Sequence, residues 1–126
     1  MPVAVFVNNT ERFDLQTVKD GYVVIRRMTY GESLKRQSMA QKIYMEQATG
    51  GARDVRGEVD IQTERVALWE FANLIVEHNL TDEGDRQLNF RNPADVMRLD
   101  GPVGTEIGQY IDEFNGASES DEVKNS

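Results

Sequence analysis

Val3, Val5 and Val7 alternate with Ala4 and Phe6 until Asn8-Asn9-Thr10 interrupts the run, a period of two that predicts a strand over 3–7. Phe13, Leu15 and Thr17 then alternate with Asp14 and Gln16, and Asp20-Gly21 supplies the dipeptide best suited to a tight hairpin turn. A return strand over 22–28 completes a small N-terminal antiparallel meander. Two or three strands of this kind are stable only when helices cover one face.

The helices follow. Thr29-Tyr-Gly-Glu32 has capping-box spacing, in which a hydroxyl and a carboxylate three residues apart each satisfy an orphan amide, and it starts a helix predicted over 30–48. Leu34, Ala40, Ile43, Tyr44 and Ala48, with Met39 and Met45, fall on one side of it, and Lys35, Arg36 and Lys42 fall elsewhere. Thr49-Gly50-Gly51 ends this helix, and the glycine-rich, charged stretch 50–58 reads as a flexible connection. Leu68, Trp69, Phe71, Ala72, Leu74, Ile75 and Val76 then make 59–80 the most apolar segment, predicted as one central helix whose polar stripe is Glu70, Asn73 and Glu77.

Residues 81–85 read as a turn, Leu88 and Phe90 alternate with polar neighbours, and Asn92-Pro93 begins a short helix through Leu99. Val103, Ile107, Tyr110, Ile111 and Phe114 recur at i, i+4, i+7, i+8 and i+11, a helical stripe closed by Asn115-Gly116. Residues 117–126 are acidic and nearly free of apolar side chains, and read as a disordered tail. The pattern therefore predicts an α+β fold, mainly helical with about four helices, as a single domain over 1–116.

Composition narrows the chemistry. The chain has 126 residues, 22 acidic and 14 basic, for a net charge of −8, with no cysteine and one histidine. A disulfide scaffold, a thiol nucleophile and cysteine-ligated metal are excluded, and His78 alone supports few imidazole-based arrangements. No run is long and apolar enough to span a membrane and no signal peptide is evident, so a cytosolic protein is expected. The charge is uneven. Residues 1–57 carry nine basic and six acidic side chains, net +3, whereas 58–126 carry five and sixteen, net −11. Such halves can attract one another between copies, so a homo-oligomer is a further expected form.

Candidate motifs resolve to ordinary roles. Asp82-Glu-Gly-Asp85 fails the calcium-loop pattern, because counting from Asp82 the sixth position is Gln87 and the twelfth is Pro93; it reads as a polar turn. His78, at the end of the expected central helix, suits the helix dipole and has no nucleophile to serve. Gly101, Gly104 and Gly108 match neither a dinucleotide fingerprint nor a phosphate loop, and read as a turn and a close helix contact. Arg26 and Arg27 would leave a strand on opposite faces, which together with the net charge argues against nucleic acid. No pair of carboxylates is singled out as a hydrolase site. The expectation is a protein without catalytic residues, cofactor or metal.

The order Phe71-Ala-Asn-Leu-Ile-Val-Glu-His-Asn-Leu80, Asp82-Glu-Gly, Leu88-Asn-Phe90, Asn92-Pro-Ala-Asp-Val96, Leu99-Asp100 and Ile111-Asp-Glu-Phe-Asn115 resembles the tail assembly chaperones of long-tailed, siphovirus-like bacteriophages. Tyr22-Val-Val-Ile-Arg-Arg-Met-Thr-Tyr-Gly-Glu32 is similar to their early region, so the resemblance runs over roughly residues 12–115. It implies a non-enzymatic protein of the host bacterial cytoplasm, absent from the mature virion, that keeps the tape measure protein soluble during tail tube assembly. It further implies a short product of a frameshifted gene pair, with a longer form of itself as a partner. Val123-Lys124-Asn125 can be encoded with a slippery heptamer, and the tail would then be the joint to the extension. A virion structural subunit, such as a connector or tail terminator, and a small host-takeover binding protein stay open as alternatives.

A chaperone of this kind must present apolar surface to its client, and the acidic half would keep it soluble meanwhile. Client contact is expected near the edges of the 59–80 and 101–115 helices, at Trp69, Phe71, Ile75, Tyr110 and Phe114, with Trp69 the first aromatic anchor to probe.

Overall fold

Residues 2–5, 9–49 and 55–116 are described by the computed structural model, with side chains outside 40–63. Seven elements follow one another: β1 (Thr10–Asp14), β2 (Tyr22–Arg26), α1 (Tyr30–Thr49), α2 (Val55–Leu74), β3 (Ile75–His78), α3 (Pro93–Met97) and α4 (Gly101–Phe114). The class is α+β, with four helices and a three-stranded antiparallel sheet in the order β1-β2-β3.

β2 is central because both of its edges are paired. Val23 and Ile25 exchange backbone bonds with β1, while Val24 turns its backbone groups the other way, toward a third strand, and the Tyr22 amide on that side is taken by the Asn79 side chain. Ile75-Val-Glu-His supplies that strand. The central helix therefore ends at Leu74, and its expected last quarter is strand: a continuous apolar run fits either period, and β-branched Ile75 and Val76 favour the sheet. Val24 faces Glu77 and Ile25 faces Ile75, leaving Val76 unopposed in a bulge at the sheet edge.

Other boundaries move for local reasons. β1 begins at Thr10 and stops at Asp14, because the amides of Gln16 and Thr17 leave the ladder for a side chain of α4. Residues 2–5 form no strand, and Val3 and Val5 are 70% and 82% exposed; the rest of the expected first strand, 6–8, lies outside the described residues. Of the expected connection 50–58, residues 55–58 form the first turn of α2 and 50–54 lie outside the described residues, as does the expected tail 117–126. Leu88 and Phe90 are both buried, Leu88 just after an isolated bridge between Thr81 and Gln87 and Phe90 at the turn before α3.

The core lies between the sheet, α2 and α4. Val23 and Ile25 of β2, Leu74 of α2, and Ile107 and Ile111 of α4 are its most completely enclosed side chains. Leu80, Leu88 and Phe90 close one end, with Phe71 meeting Phe90 edge-on at 5.5 Å between ring centroids. α3 starts as the sequence suggests: the Asn92 side chain accepts the Ala94 amide and Pro93 occupies the first turn. α4 ends at Asn115, followed by Gly116 with φ of 84°. No described helix is long and apolar enough to cross a membrane.

Candidate functional site

The first half of α1, residues 30–39, gives no side chain to the buried core. Its start is the expected capping box, closed in both directions: the Thr29 amide donates to Glu32 Oε1 at 2.9 Å and the Glu32 amide to Thr29 Oγ1 at 3.2 Å. Glu32 also takes a bidentate contact from Arg26, and that guanidinium holds its carboxyl down at about 2. Beyond this start α1 packs chiefly along α2. Over its described side chains it adds nothing to the buried core, and Tyr30 and Leu34 are 80% and 44% exposed.

One polar cluster ties α1 to the body. Arg36 lies with Nε 3.5 Å from Glu70 of α2 and a terminal nitrogen 3.6 Å from Asp112 of α4. Glu70, only 8% exposed, is not part of a solvated stripe as its spacing suggested. Burial pushes its carboxyl up to about 7, with Asp112 adding to the rise and Arg36 opposing it. The buried Arg36 Nε makes no well-aligned hydrogen bond, so the cluster holds charge at close range without fully satisfying it.

A second carboxylate organises the opposite end. Glu106 of α4 accepts the Gln16 amide at 2.7 Å, the Thr17 amide at 3.0 Å, the Thr17 hydroxyl at 2.6 Å and the Tyr110 hydroxyl at 2.8 Å. Burial alone would raise its pKa, but these four donors outweigh burial and bring it down to about 2. The loop after β1 is thereby wrapped onto the end of α4. Tyr110 also stacks on Phe13 at 4.9 Å, and Phe114 meets the same ring edge-on at 5.7 Å with the Arg27 guanidinium over its other side.

The five residues expected at a partner surface fall into two groups. Phe71 is fixed in the core, with Trp69 and Ile75 half-buried against it. Tyr110 and Phe114 are half-buried around Phe13, on the far edge of the sheet. Among the described residues the exposed apolar side chains are different ones: Val3 and Val5 ahead of β1, Tyr30 and Leu34 on α1, Val76 in the β3 bulge and Met97 on α3.

The remaining candidates resolve similarly. His78 sits in β3 instead of at a helix end, stacked on Phe90 at 4.2 Å, with Nδ1 accepting the Leu80 amide; burial lowers its pKa, and a bond with the Leu88 backbone pulls the other way. Asp82 is the expected turn, its Oδ1 accepting the Gly84 and Arg86 amides. Arg26 and Arg27 do part to opposite faces, one to Glu32 and the other to Phe114. Gly101 and Gly108 have open space where a side chain would go, and a Cβ at Gly104 would meet Leu99 at an ordinary 3.9 Å, so none of the three is required by a close helix contact. Among the described residues no group of three or more His, Asp or Glu side chains could hold a metal ion. A groove of ≈ 920 Å³ runs beside the Asp82 turn, lined by apolar Val18, Leu80, Leu99 and Val103 and by charged Lys19 and Arg98.

Sequence reasoning missed Glu70 and Glu106, although Glu106 carried a signal. It lies at i+3 from Val103 and i−1 from Ile107, inside the apolar stripe of α4, where a carboxylate needs buried donors. Comparison with protein families, curated proteins and solved structures finds no match to this chain.

Proposed function

We propose that this protein is a non-enzymatic tail assembly chaperone of a long-tailed bacteriophage, which binds the tape measure protein in the host cytoplasm and keeps it soluble while tail tube subunits assemble. The observation that supports the reading is the start of α1: its described side chains give nothing to the core, Arg36 and the capping box hold it to the body, and it exposes Tyr30 and Leu34. A long helical client is bound most simply by another helix presenting an apolar edge. The order of short sequence words over 12–115, which resembles the family, supports the same conclusion. The acidic second half would repel other complexes and keep the loaded protein dispersed.

The short-form assignment and the longer frameshifted partner belong to this proposal and are tested in the gene: a slippery heptamer with an overlapping downstream frame near codons 123–125 supports them, and its absence removes them. Co-expression with the tape measure protein encoded beside it tests the chaperone reading. The client is expected to become soluble and to co-purify, and the chaperone to be missing from mature particles. A client that stays insoluble, or particles that retain this chain in stoichiometric amount, would favour a virion subunit.

A further inference from the structure

One side chain pins the end of α4 to the crossing between β2 and α1. Asn115 Oδ1 accepts the Met28 amide at 2.5 Å, and its Nδ2 donates to the Ile111 carbonyl at 3.0 Å and, at the longer distance of 3.5 Å, to the Arg26 carbonyl. The same residue caps α4, its amide donating to the Ile111 carbonyl, and both Asn115 and Gly116 are half-buried. Because α1 begins at Tyr30, just past Met28, this carboxamide fixes where the helix leaves the sheet.

Asn115-Gly116 is also the one Asn-Gly dipeptide in the sequence. Glycine has no Cβ to shield its amide nitrogen, which can therefore approach the carboxamide carbon of the preceding side chain. That nitrogen, giving up its proton, bonds to Cγ of Asn115; the bond from Cγ to Nδ2 breaks, and Nδ2 leaves as ammonia. Water then opens the cyclic imide at one carbonyl or the other, leaving aspartate or isoaspartate, and is the sole co-reactant. The three hydrogen bonds oppose the first step by holding Cγ against Met28, Arg26 and Ile111, so the reaction runs from chains in which the pin has opened locally.

We infer that Asn115-Gly116 is a covalent modification site, where spontaneous deamidation withdraws the pin and frees the start of α1 from the end of α4. The product carboxylate has no proton to donate, so the Ile111 and Arg26 carbonyls lose their donor and face an anion instead. It also stands at the C-terminus of α4, where the helix dipole disfavours negative charge. In isoaspartate the main chain runs through Cγ, and the oxygen that met the Met28 amide becomes part of it. The change is one-way, so older chains hold α1 less firmly. It requires no client and stands whether or not the chain is a chaperone.

Ageing the whole folded chain in mildly alkaline buffer tests this, with peptide mass spectrometry to locate the conversion and hydrogen exchange to read the joint. Asn115 is expected to convert at least about tenfold more slowly in the folded chain than in urea, and to convert fully on prolonged incubation. In the aged protein the Met28 and Asn115 amides are expected to exchange at least about tenfold faster than in fresh protein. Gly116→Ala, which shields the attacking nitrogen, should slow the conversion in urea, and Asn115→Asp should reproduce the faster exchange. The aged parent, folded before it reacts, supplies that readout even where the variant does not fold. Equal rates with and without urea, an Asn115 that never converts in the folded chain, or an aged protein whose Met28 and Asn115 amides exchange as before would each overturn the inference.

Discussion

The Thr17 hydroxyl donates a 2.6 Å hydrogen bond to Glu106, 89 residues away in the sequence, and this contact with its neighbours decides where the first strand ends. Removing the carboxylate leaves two backbone amides and the Thr17 hydroxyl without their acceptor, and the Tyr110 hydroxyl with the 3.3 Å contact to the Asp14 carbonyl alone. Glu106→Ala is expected to destabilise the fold by about 2–3 kcal/mol in urea denaturation, and Tyr110→Phe, which removes one of four donors, by about 1 kcal/mol. Because the folded pKa of Glu106 lies at about 2, below its value in the unfolded chain, its stabilisation is full above about pH 4.5 and is lost as pH falls toward 2. Glu106→Ala should therefore show a shallower loss of stability in acid than the parent.

Glu70 titrates in the opposite sense. Its folded pKa of about 7 exceeds the unfolded value, so the folded state holds the proton more tightly and stability declines as pH rises from about 4.5 through 7. Glu70→Gln keeps the shape and removes the titration. At pH 8 it should be the more stable protein by on the order of 1 kcal/mol, a figure discounted for partial solvent access, and at pH 4.5 the difference should vanish. Thermal melts of the two proteins at both pH values measure this.

Asp20-Gly21 works differently from a common hairpin turn. Asp20 holds the positive φ, 61°, while Gly21 is buried where a Cβ would sit 2.9 Å from Val18 and 3.2 Å from Leu80. Asp20→Gly should be close to neutral, since glycine accepts that conformation at no steric cost. Gly21→Ala should destabilise by about 1–3 kcal/mol through overpacking. Chemical denaturation of the pair gives the ranking, and equal effects would contradict it.

Gly108 offers the reverse case. It lies inside α4 with nothing within 4 Å of where a Cβ would stand. Gly108→Ala is expected to stabilise by about 0.5–1 kcal/mol, by lowering the backbone entropy lost on folding. A melting temperature that drops would mean an unseen neighbour on that face.

What could be read along the chain was whatever rests on neighbours in sequence. Thr29 with Glu32, Asn92 with Pro93, and the Val103–Ile107–Ile111 stripe each act within one or two turns, and each forms as its spacing requires. The switch from α2 to β3 at Leu74 and Ile75 was hidden because the run 71–76 suits either period and only the unpaired edge of β2 resolves it. Glu70 shares its spacing with Asn73, yet one is buried against Arg36 and the other faces solvent, a distinction set by α1 and α4 and invisible in α2 alone. The apolar residues chosen as partner anchors were largely claimed by the core for the same reason: large aromatic area serves either purpose.

In the proposed chaperone, the α1 edge bearing Tyr30 and Leu34 is the surface that meets the client. Tyr30→Ser combined with Leu34→Ser changes exposed positions outside the core and should leave the melting temperature within a few degrees of the parent. The decisive measurement is the soluble fraction of the tape measure protein co-expressed with each version. The account predicts abundant soluble, co-purifying client with the parent and a loss of at least about fivefold with the double variant, equivalent to on the order of 1 kcal/mol of binding. Equal solubilisation by a folded double variant would contradict the placement, and an insoluble client with the parent would contradict the function.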